Sequence, residues 1–295
     1  MYDLAAFYQA SSVEEAVALR IAHPEAIVIA GGTDVLVQMR DGKLAGKSLI
    51  SIRGIPELEK ITMDEEDNLR IGSLMTFTHI TAHPLIQQYI NVLGQAVDQV
   101  GGPQIRNAGT IGGNTCNGVT SADSASTLFA WDAVIELTGR NGMRRVPIQD
   151  FYLRAGVVDL KGEEGEIQTA ILIPRESYEN TYGHYIKYAM RNAMDIATLG
   201  TSVNVRLSEN KKTVERARIA FGVAGPVPLR AKTAEAVLCG QTVTAENIER
   251  CARAVLKDIH PRDSWRASKA FREHMAVECT RIGLTESIRL AGGEL

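Results

Sequence analysis

The sequence lacks the features that small disulfide-bonded proteins, thiolate metal proteins and membrane proteins depend on. Its only cysteines are widely spaced and form no CxxC pair, namely Cys116, Cys239, Cys251 and Cys279. This spacing argues against a disulfide framework and against a four-thiolate zinc or iron–sulfur site. No apolar run approaches the ~20 residues of a membrane span, and the N-terminus shows no basic stretch followed by an apolar one. We therefore expect a cytoplasmic, reduced protein that does not enter a membrane.

An excess of charge of one sign is lacking as well. Lys and Arg number 32 against 35 Asp and Glu, which gives a net charge of −3 at pH 7. Without a basic excess, neither nucleic acid nor an anionic membrane is an expected partner. The length of 295 residues and the hydrophobic content of 45% predict two packed domains with a sizeable core.

Strands and helices are mixed in the hydrophobic pattern without strict βαβ alternation, which predicts an α+β fold. A capping box at Ser12 and Glu15 opens a first helix, and a helical pattern over 78–99 is broken at Pro84. Helices are also predicted from residue 231 to the end, and a charged segment at 175–180 marks a possible domain boundary. Apolar runs predict strands at 26–30, 48–53, 69–73, 133–138, 143–147, 166–174, 184–189, 198–207 and 214–223.

Glycine is concentrated in two turns, Ala30-Gly31-Gly32-Thr33-Asp34 and Gly109-Thr110-Ile111-Gly112-Gly113-Asn114. Backbone amides in such turns can approach a phosphate closely because no side chain intervenes. Two separate turns suit a diphosphate, although each alone equally fits a tight turn without a ligand. The surrounding stretch, 101–126, contains few core residues and predicts a long ordered loop shaped around a ligand.

Other nucleotide-binding and catalytic motifs fail on the sequence. A Walker A loop ending at Gly46-Lys47 needs glycine where Asp41 stands, and neither GxGxxG nor GxSxG occurs in a suitable place. His79 and His83 have the spacing of metal ligands on a helix, but no third ligand is evident, so no metal is expected. Cys116 lies within the glycine-rich stretch and fits a packing residue better than a reactive thiol.

Four blocks resemble the FAD-binding subunits of the molybdenum hydroxylases, the xanthine dehydrogenase family. They are AIVIAGGTDVLVQMR (26–40), GSLMTFTHI (72–80), GGPQIRNAGTIGGNTCNGVTSADS (101–124) and YAMRNAMDIATLG (188–200). The resemblance runs nearly end to end and is strongest to the flavoprotein subunits of bacterial xanthine or purine dehydrogenases. It implies an FAD-binding domain of the vanillyl-alcohol oxidase (PCMH) type in two subdomains over 1–176. A smaller α+β domain like that of the CO dehydrogenase flavoprotein would follow over 182–291.

The resemblance also implies which residues bind FAD. Ile27, Val28, Ile29, Ala30, Gly31, Gly32, Thr33 and Asp34 would surround the diphosphate and its ribose side. A second cradle would consist of Gly109, Thr110, Ile111, Gly112, Gly113 and Asn114, with Asp123 as a polar neighbour of the cofactor. Ile167 and Lys187 match positions that flank the flavin. Met190, Arg191 and Asp195 would shape the flavin face or a nicotinamide site, or equally form a buried salt bridge between subdomains.

In this family, electrons from a molybdenum-cofactor subunit pass through a 2Fe-2S subunit to FAD, which delivers a hydride to NAD⁺. The resemblance therefore implies an oxidoreductase subunit in which no side chain needs to act as a catalytic acid or base. Two other interpretations stay open. One is a self-contained flavoenzyme like the UDP-N-acetylenolpyruvoylglucosamine reductases, although no proton donor is evident in the glycine turns. The other is a scaffold subunit that has lost FAD, although both glycine turns are intact.

Overall fold

A small parallel sheet forms the N-terminal part of the computed structural model, which describes residues 3–295. Its strands are β1 (Leu4–Gln9), β2 (Ile27–Ile29) and β3 (Lys47–Ser51), paired in the order β1-β3-β2. The helices α1 (Val13–Ala22) and α2 (Val35–Arg40) connect them. The predicted first helix is confirmed, because the Ser12 side chain accepts from the Glu15 amide. The Glu15 carboxylate accepts from the amide and hydroxyl of Ser11, the residue before the cap.

A second subdomain is built on a five-stranded antiparallel sheet with helices packed against it. In chain order its elements are β4 (Ile61–Met63), β5 (Leu69–Gly72), α3 (Phe77–Ala82), α4 (Pro84–Tyr89), α5 (Asn91–Val97), α6 (Pro103–Ala108), α7 (Ile111–Cys116), α8 (Asp123–Ala130), β6 (Val134–Gly139), β7 (Gly142–Pro147), α9 (Ile148–Phe151), β8 (Tyr152–Arg154), β9 (Val157–Val158), β10 (Ile167–Ile173) and α10 (Arg175–Tyr178). The sheet order is β4-β5-β10-β6-β7, while β8 and β9 form a separate ribbon. Short 3₁₀ turns occur at Pro56–Leu58 and Gly162–Glu164.

The prediction of a long loop over 101–126 is wrong, because α6, α7 and the start of α8 occupy most of this stretch. Pro103 stands in the first turn of α6, where its missing amide hydrogen costs nothing. Thr110 caps α7 through its side chain. All eight residues of α8 are buried, and small residues allow this close packing. Low hydrophobicity in this stretch therefore reflects tight helix packing.

The C-terminal part is a four-stranded antiparallel sheet covered by helices on one face. The strands are β11 (Tyr182–Tyr188), β12 (Leu199–Leu207), β13 (Val214–Gly222) and β14 (Leu229–Arg230), paired in that order. The helices are α11 (Lys232–Leu238), α12 (Ala245–Ala254) and α13 (Lys269–Leu290), with a 3₁₀ turn at Val255–Lys257. The predicted strands and helices of this region are confirmed.

The second and third parts share one junction. Trp131, at the end of α8, is 1% exposed and belongs to the same apolar cluster as Tyr185 of β11 and Ala220 of β13. A Cβ placed on Gly183 would lie 2.2 Å from Cη2 of Trp131, so only glycine fits there. The predicted α+β class, with a two-subdomain N-terminal unit and a smaller C-terminal unit, is confirmed. Within residues 3–295, no helix is both long and apolar enough to cross a membrane.

Candidate cofactor-binding cleft

A cleft of about 360 Å³ opens between the small parallel sheet and the second subdomain. Most of the residues predicted to bind FAD line it, although they come from three separate stretches of the chain. They are Ile27, Val28, Ala30, Gly31, Gly32, Thr33, Asp34, Gly109, Thr110, Gly112, Gly113, Asn114 and Ile167. The fold therefore gathers both glycine turns around one space.

The first glycine turn follows β2 and leaves backbone donors free. Gly32 has φ +73°, a conformation that glycine adopts without strain. Within residues 3–295, the amides of Gly32, Thr33 and Asp34 donate to no protein acceptor. A Cβ on Gly31 would lie 1.8 Å from the Ala108 carbonyl oxygen, so this turn touches the α6–α7 connection directly. Three free amides beside a cleft form a suitable site for a phosphate group.

The second glycine turn is different, because most of its amides are already engaged inside the protein. The Ile111 amide donates to Met75 O at 3.0 Å and the Gly112 amide to Ser73 O at 2.9 Å. The Gly113 amide donates to Thr110 Oγ1 at 3.1 Å. At Gly112 and Gly113 this turn therefore contributes a wall without side chains, and the amides of Ile111, Gly112 and Gly113 have protein partners in place of the expected phosphate.

The adjacent glycines Gly112 and Gly113 of this second turn have different roles. A Cβ on Gly112 would lie 2.5 Å from the Ser73 Cβ, whereas a Cβ on Gly113 would meet only Thr110 Oγ1, at 3.1 Å. Valine at position 112 would disturb the packing before it met a ligand. Position 113 is the one where glycine keeps the cleft open.

Three further polar groups of the cleft wall lack a protein partner and were not predicted. They are the buried Arg20 Nε, Ser73 Oγ and Gln168 Nε2. Gln168 is held by its other amide atom, because Oε1 accepts from Thr115 Oγ1 at 2.8 Å and from Cys116 Sγ at 3.1 Å. A glutamine within the apolar run EIQTAILIP was the available signal.

Apolar groups complete the cleft wall. Val100 and Ile105 line it together with Ile167. Burial raises the pKa of the Cys116 thiol to about 12, so this cysteine stays protonated at neutral pH and acts as a packing and hydrogen-bonding group. Free amides, the unpaired Gln168 Nε2 and apolar walls together fit a large ligand that has both a diphosphate and a ring system, as FAD has.

Asp123 and Lys187 do not line the cleft but form an ion pair at its edge. Lys187 Nζ lies 2.8 Å from Asp123 Oδ2 and donates to Gln99 O at 2.8 Å. Both side chains are 7% exposed. Tyr185 donates to Asp123 Oδ1 at 2.8 Å. Burial raises the pKa of Asp123, and the neighbouring ammonium opposes that rise.

This pair joins α8 to β11 at the edge of the cleft, since Val100 follows Gln99 in the chain. The next residue of α8, Ser124, donates to Asn114 Oδ1 at 2.6 Å, which links the helix to the second glycine turn. Ile29 and Ile111, the other predicted residues outside the cleft wall, are buried in the apolar clusters.

A second cavity of about 540 Å³ lies on the other side of the glycine turns and shares Ala30, Gly31 and Thr110 with the cleft. His79 and His83 line it. His83 Nδ1 accepts from the Leu85 amide at 3.3 Å and so caps α4. In the described part of the chain, no three His, Cys, Asp or Glu side chains are grouped as metal ligands.

Comparisons with known proteins agree with this geometry. The family model "FAD binding domain in molybdopterin dehydrogenase" matches residues 2–176, and "CO dehydrogenase flavoprotein C-terminal domain" matches 184–287. The xanthine dehydrogenase FAD-binding subunit of Escherichia coli is 39% identical over 295 residues, 100% of both chains. The medium chain of carbon monoxide dehydrogenase from Hydrogenophaga pseudoflava is 30% identical over 279 residues, 94% of this chain and 95% of that one.

The fold likeness to a solved structure is equally extensive. A structure of carbon monoxide dehydrogenase from Hydrogenophaga pseudoflava, lacking the Mo-pyranopterin moiety, superposes with a TM-score of 0.90 at 30% identity. The match covers 97% of this chain and 98% of that one.

Proposed function

The chain belongs to the family of FAD-binding subunits of molybdenum hydroxylases, and we propose that it passes electrons from a 2Fe-2S subunit through FAD to NAD⁺. It is an oxidoreductase subunit whose cofactor is FAD. The identity to the Escherichia coli subunit, at 39% over the whole chain, supports a complex of the xanthine or purine dehydrogenase type. A molybdenum-cofactor subunit would then be the second partner. Residues 1–176 would form the FAD domain and 182–291 the smaller domain.

Different residues of the cleft would contact different parts of FAD. The amides of Gly32, Thr33 and Asp34 would donate to the diphosphate, because they have no protein acceptor. Gly113 would allow the cofactor to lie against the backbone of α7, and Gln168 Nε2 would supply a polar contact. Asp123 and Lys187 would fix the edge of the cleft formed by Gln99 and Val100.

FAD, when bound, accepts electrons singly and releases them as a hydride, so it connects one-electron centres to a two-electron acceptor. The chain's own contribution is binding, orientation and exclusion of water. No side chain in the cleft has to move a proton for this role.

The observation that carries the proposal is the pair of unlike glycine turns, one with free amides and one with a bare wall. Gly113→Val should weaken FAD retention by roughly 5- to 150-fold, because a clash in a packed site costs ~1–3 kcal/mol. Gly113→Ala should have a smaller effect. Bound FAD is measured by the visible absorption of the purified chain.

Two other variants separate loss of the cofactor from loss of the fold. Ala245→Val, at the exposed start of α12, adds comparable bulk away from the cleft and should keep full flavin occupancy. Gly112→Val should lower the free energy of unfolding as well, since it clashes with Ser73. Full occupancy in Gly113→Val would contradict the proposed binding mode.

The proposed acceptor is tested on the same protein without oxygen. NADH should bleach the flavin bands of the purified chain. If dithionite bleaches them and NADH does not, NAD⁺ is not the acceptor, while FAD binding stands.

A further inference from the structure

Six large apolar side chains are exposed on two neighbouring segments of the C-terminal part. Tyr188 ends β11, and Met190, Met194 and Ile196 lie on the connection from β11 to β12. Trp265 lies just before α13, and Phe271 lies in its first turn. Trp265 is 77% exposed. The Tyr188 and Phe271 rings are in contact, with centroids 5.6 Å apart. We call these six residues the Trp265 surface.

The segment that carries Trp265 is held rigidly by one buried side chain, Arg272. This residue is 3% exposed and donates to Thr198 O, in the connection before β12, at 3.1 Å. It also donates to the backbone oxygens of Arg262 and Ala267 and, at 2.8 Å, to Ser264 Oγ. Arg272 thereby ties both segments together. An exposed tryptophan on a loop that is already ordered has little conformational entropy to lose on binding.

The Trp265 surface borders the FAD cleft. Tyr188 follows Lys187, which donates to the carbonyl oxygen of Gln99, and Val100 lines the cleft. Met194 covers Gly102 on the same edge, because a Cβ on that glycine would lie 3.6 Å from Met194 Sδ. A protein bound here would therefore sit beside the cofactor site.

The composition of the surface indicates a protein partner. Soluble chains seldom expose many large apolar side chains on neighbouring segments, and Trp, Met and Arg are enriched at protein interfaces. Trp265 projects from the molecule, whereas small-molecule sites are concave. This geometry disfavours a nucleotide as the occupant.

The charges around Trp265 indicate an acidic partner. Arg262 and Arg266 flank it, and within residues 3–295 neither forms an ion pair. The one carboxylate between them in the chain, Asp263, accepts from the Lys269 amide at 2.6 Å, so the excess charge here is positive. The Arg266 guanidinium lies 4.2 Å from the centroid of the Trp265 ring. A second copy of the chain bound symmetrically through this face would bring arginines towards arginines. An acidic surface would complement them instead.

We propose that the Trp265 surface is the docking site for an acidic face of the 2Fe-2S subunit. This inference rests on the proposed function, because a protein that delivers electrons to FAD has to bind beside the FAD cleft. Trp265 would be the central contact, and the two arginines would steer and orient the partner.

The test uses the complex isolated from source cells through an affinity tag on this chain, with iron, molybdenum and FAD measured per chain. Trp265→Ser should keep its FAD but lose iron, because truncating a central interface tryptophan weakens binding by about 25-fold or more. Met143→Ser is the matched control. Met143 is 55% exposed on β7, away from the Trp265 surface, and its variant should keep the wild-type iron content.

The arginines are tested by salt. The double variant Arg262→Gln/Arg266→Gln should lose iron at low ionic strength and respond less to added salt than the wild type, since screening acts on the charges it removes. Its FAD content should not change.

Three outcomes would overturn the docking site. They are unchanged iron in Trp265→Ser, loss of molybdenum alone, and an altered self-association of the chain with iron retained. Failure of the proposed function shows separately, because wild-type protein would then be isolated without FAD or without iron.

Discussion

At the scale of single residues, the buried pair of Asp123 and Lys187 has the largest expected effect on stability. Both side chains are removed from water, and their nitrogen–oxygen distance is 2.8 Å. Tyr185 and the Gln99 carbonyl complete the hydrogen bonds of the pair. Removing one partner of such a pair leaves an uncompensated buried charge, which is more costly than never having had the pair.

Lys187→Met should therefore lower the free energy of unfolding by about 3–5 kcal/mol, as measured by urea denaturation. The double variant Asp123→Asn/Lys187→Met should recover part of the loss, because no charge then remains buried. Equal destabilisation in the single and double variants would contradict this account.

The same single variant should show a characteristic pH dependence. Burial raises the pKa of Asp123, and the ammonium of Lys187 opposes the rise, so the pKa should be higher still in Lys187→Met. A carboxyl whose pKa is raised by folding binds more protons in the native state. Stability is then greatest below the ordinary carboxyl pKa and falls as pH rises towards the raised value. The double variant should lack this slope.

The glycine turns show how far single residues can be understood from sequence. Both turns look alike as sequence, and their meeting around one cleft was predicted through the family resemblance. The difference between them depends on Ser73 and Met75, whose carbonyl oxygens accept hydrogen bonds from two amides of the second turn. Those partners are distant in the chain, so no local pattern could reveal that most amides of the second turn are already engaged.

At the scale of elements, the end of α8 is fixed to the C-terminal sheet by charge. Asp132, just beyond the helix, lies 2.5 Å from Arg218 Nη2 of β13 and also pairs with Arg230 of β14. The arginine side chains are 9% and 8% exposed. Arg230 makes a second pair with Glu235 of α11. The ion pairs therefore connect a helix of one part with two strands of the other.

Asp132→Asn should lower the free energy of unfolding by roughly 3 kcal/mol, since it leaves two buried arginines short of negative charge. Asp67→Asn is a matched control. Asp67 also has a positive φ, +58° against +46° for Asp132, and it pairs with Arg175 at 2.8 Å in an exposed setting. The control should cost about 1 kcal/mol or less. Equal losses in thermal or urea unfolding would show that the junction does not depend on Asp132.

The elements themselves were mostly predictable, with one instructive failure. Strands such as β10, β12 and β13 are apolar runs bounded by polar turns in the sequence, and the structure has strands at these runs. The helices α6 to α8 were missed because they are short and consist mostly of small or polar residues. Their stability comes from caps such as Thr110 and from close packing, of α6 against α3, of α7 against β10 and of α8 against β12 and β13. An amphipathic pattern does not reveal such packing.

At the scale of the whole molecule, the two sequence-defined regions share one core. Trp131, Tyr185 and Ala220 belong to the same apolar cluster, although the first lies in the N-terminal region and the others in the C-terminal one. Gly183 packs on Trp131 so closely that it cannot carry a side chain. Opening the junction would expose a tryptophan that is 1% exposed in the folded chain.

The chain should therefore unfold in a single cooperative transition, even though two family models divide it. In the Trp265→Phe variant, Trp131 is the sole tryptophan and its fluorescence reports on the junction. That signal, far-UV circular dichroism and flavin release should give coincident urea transitions. Added FAD should stabilise the chain in all three signals alike, by about 2.7 kcal/mol at a free concentration one hundred times Kd.

Gly183→Ala should move all three transitions to lower urea concentration together, because its methyl group opens the shared junction. If the Trp131 transition instead preceded flavin release, the C-terminal unit would be separating on its own, and the shared core would not govern the stability of the cleft.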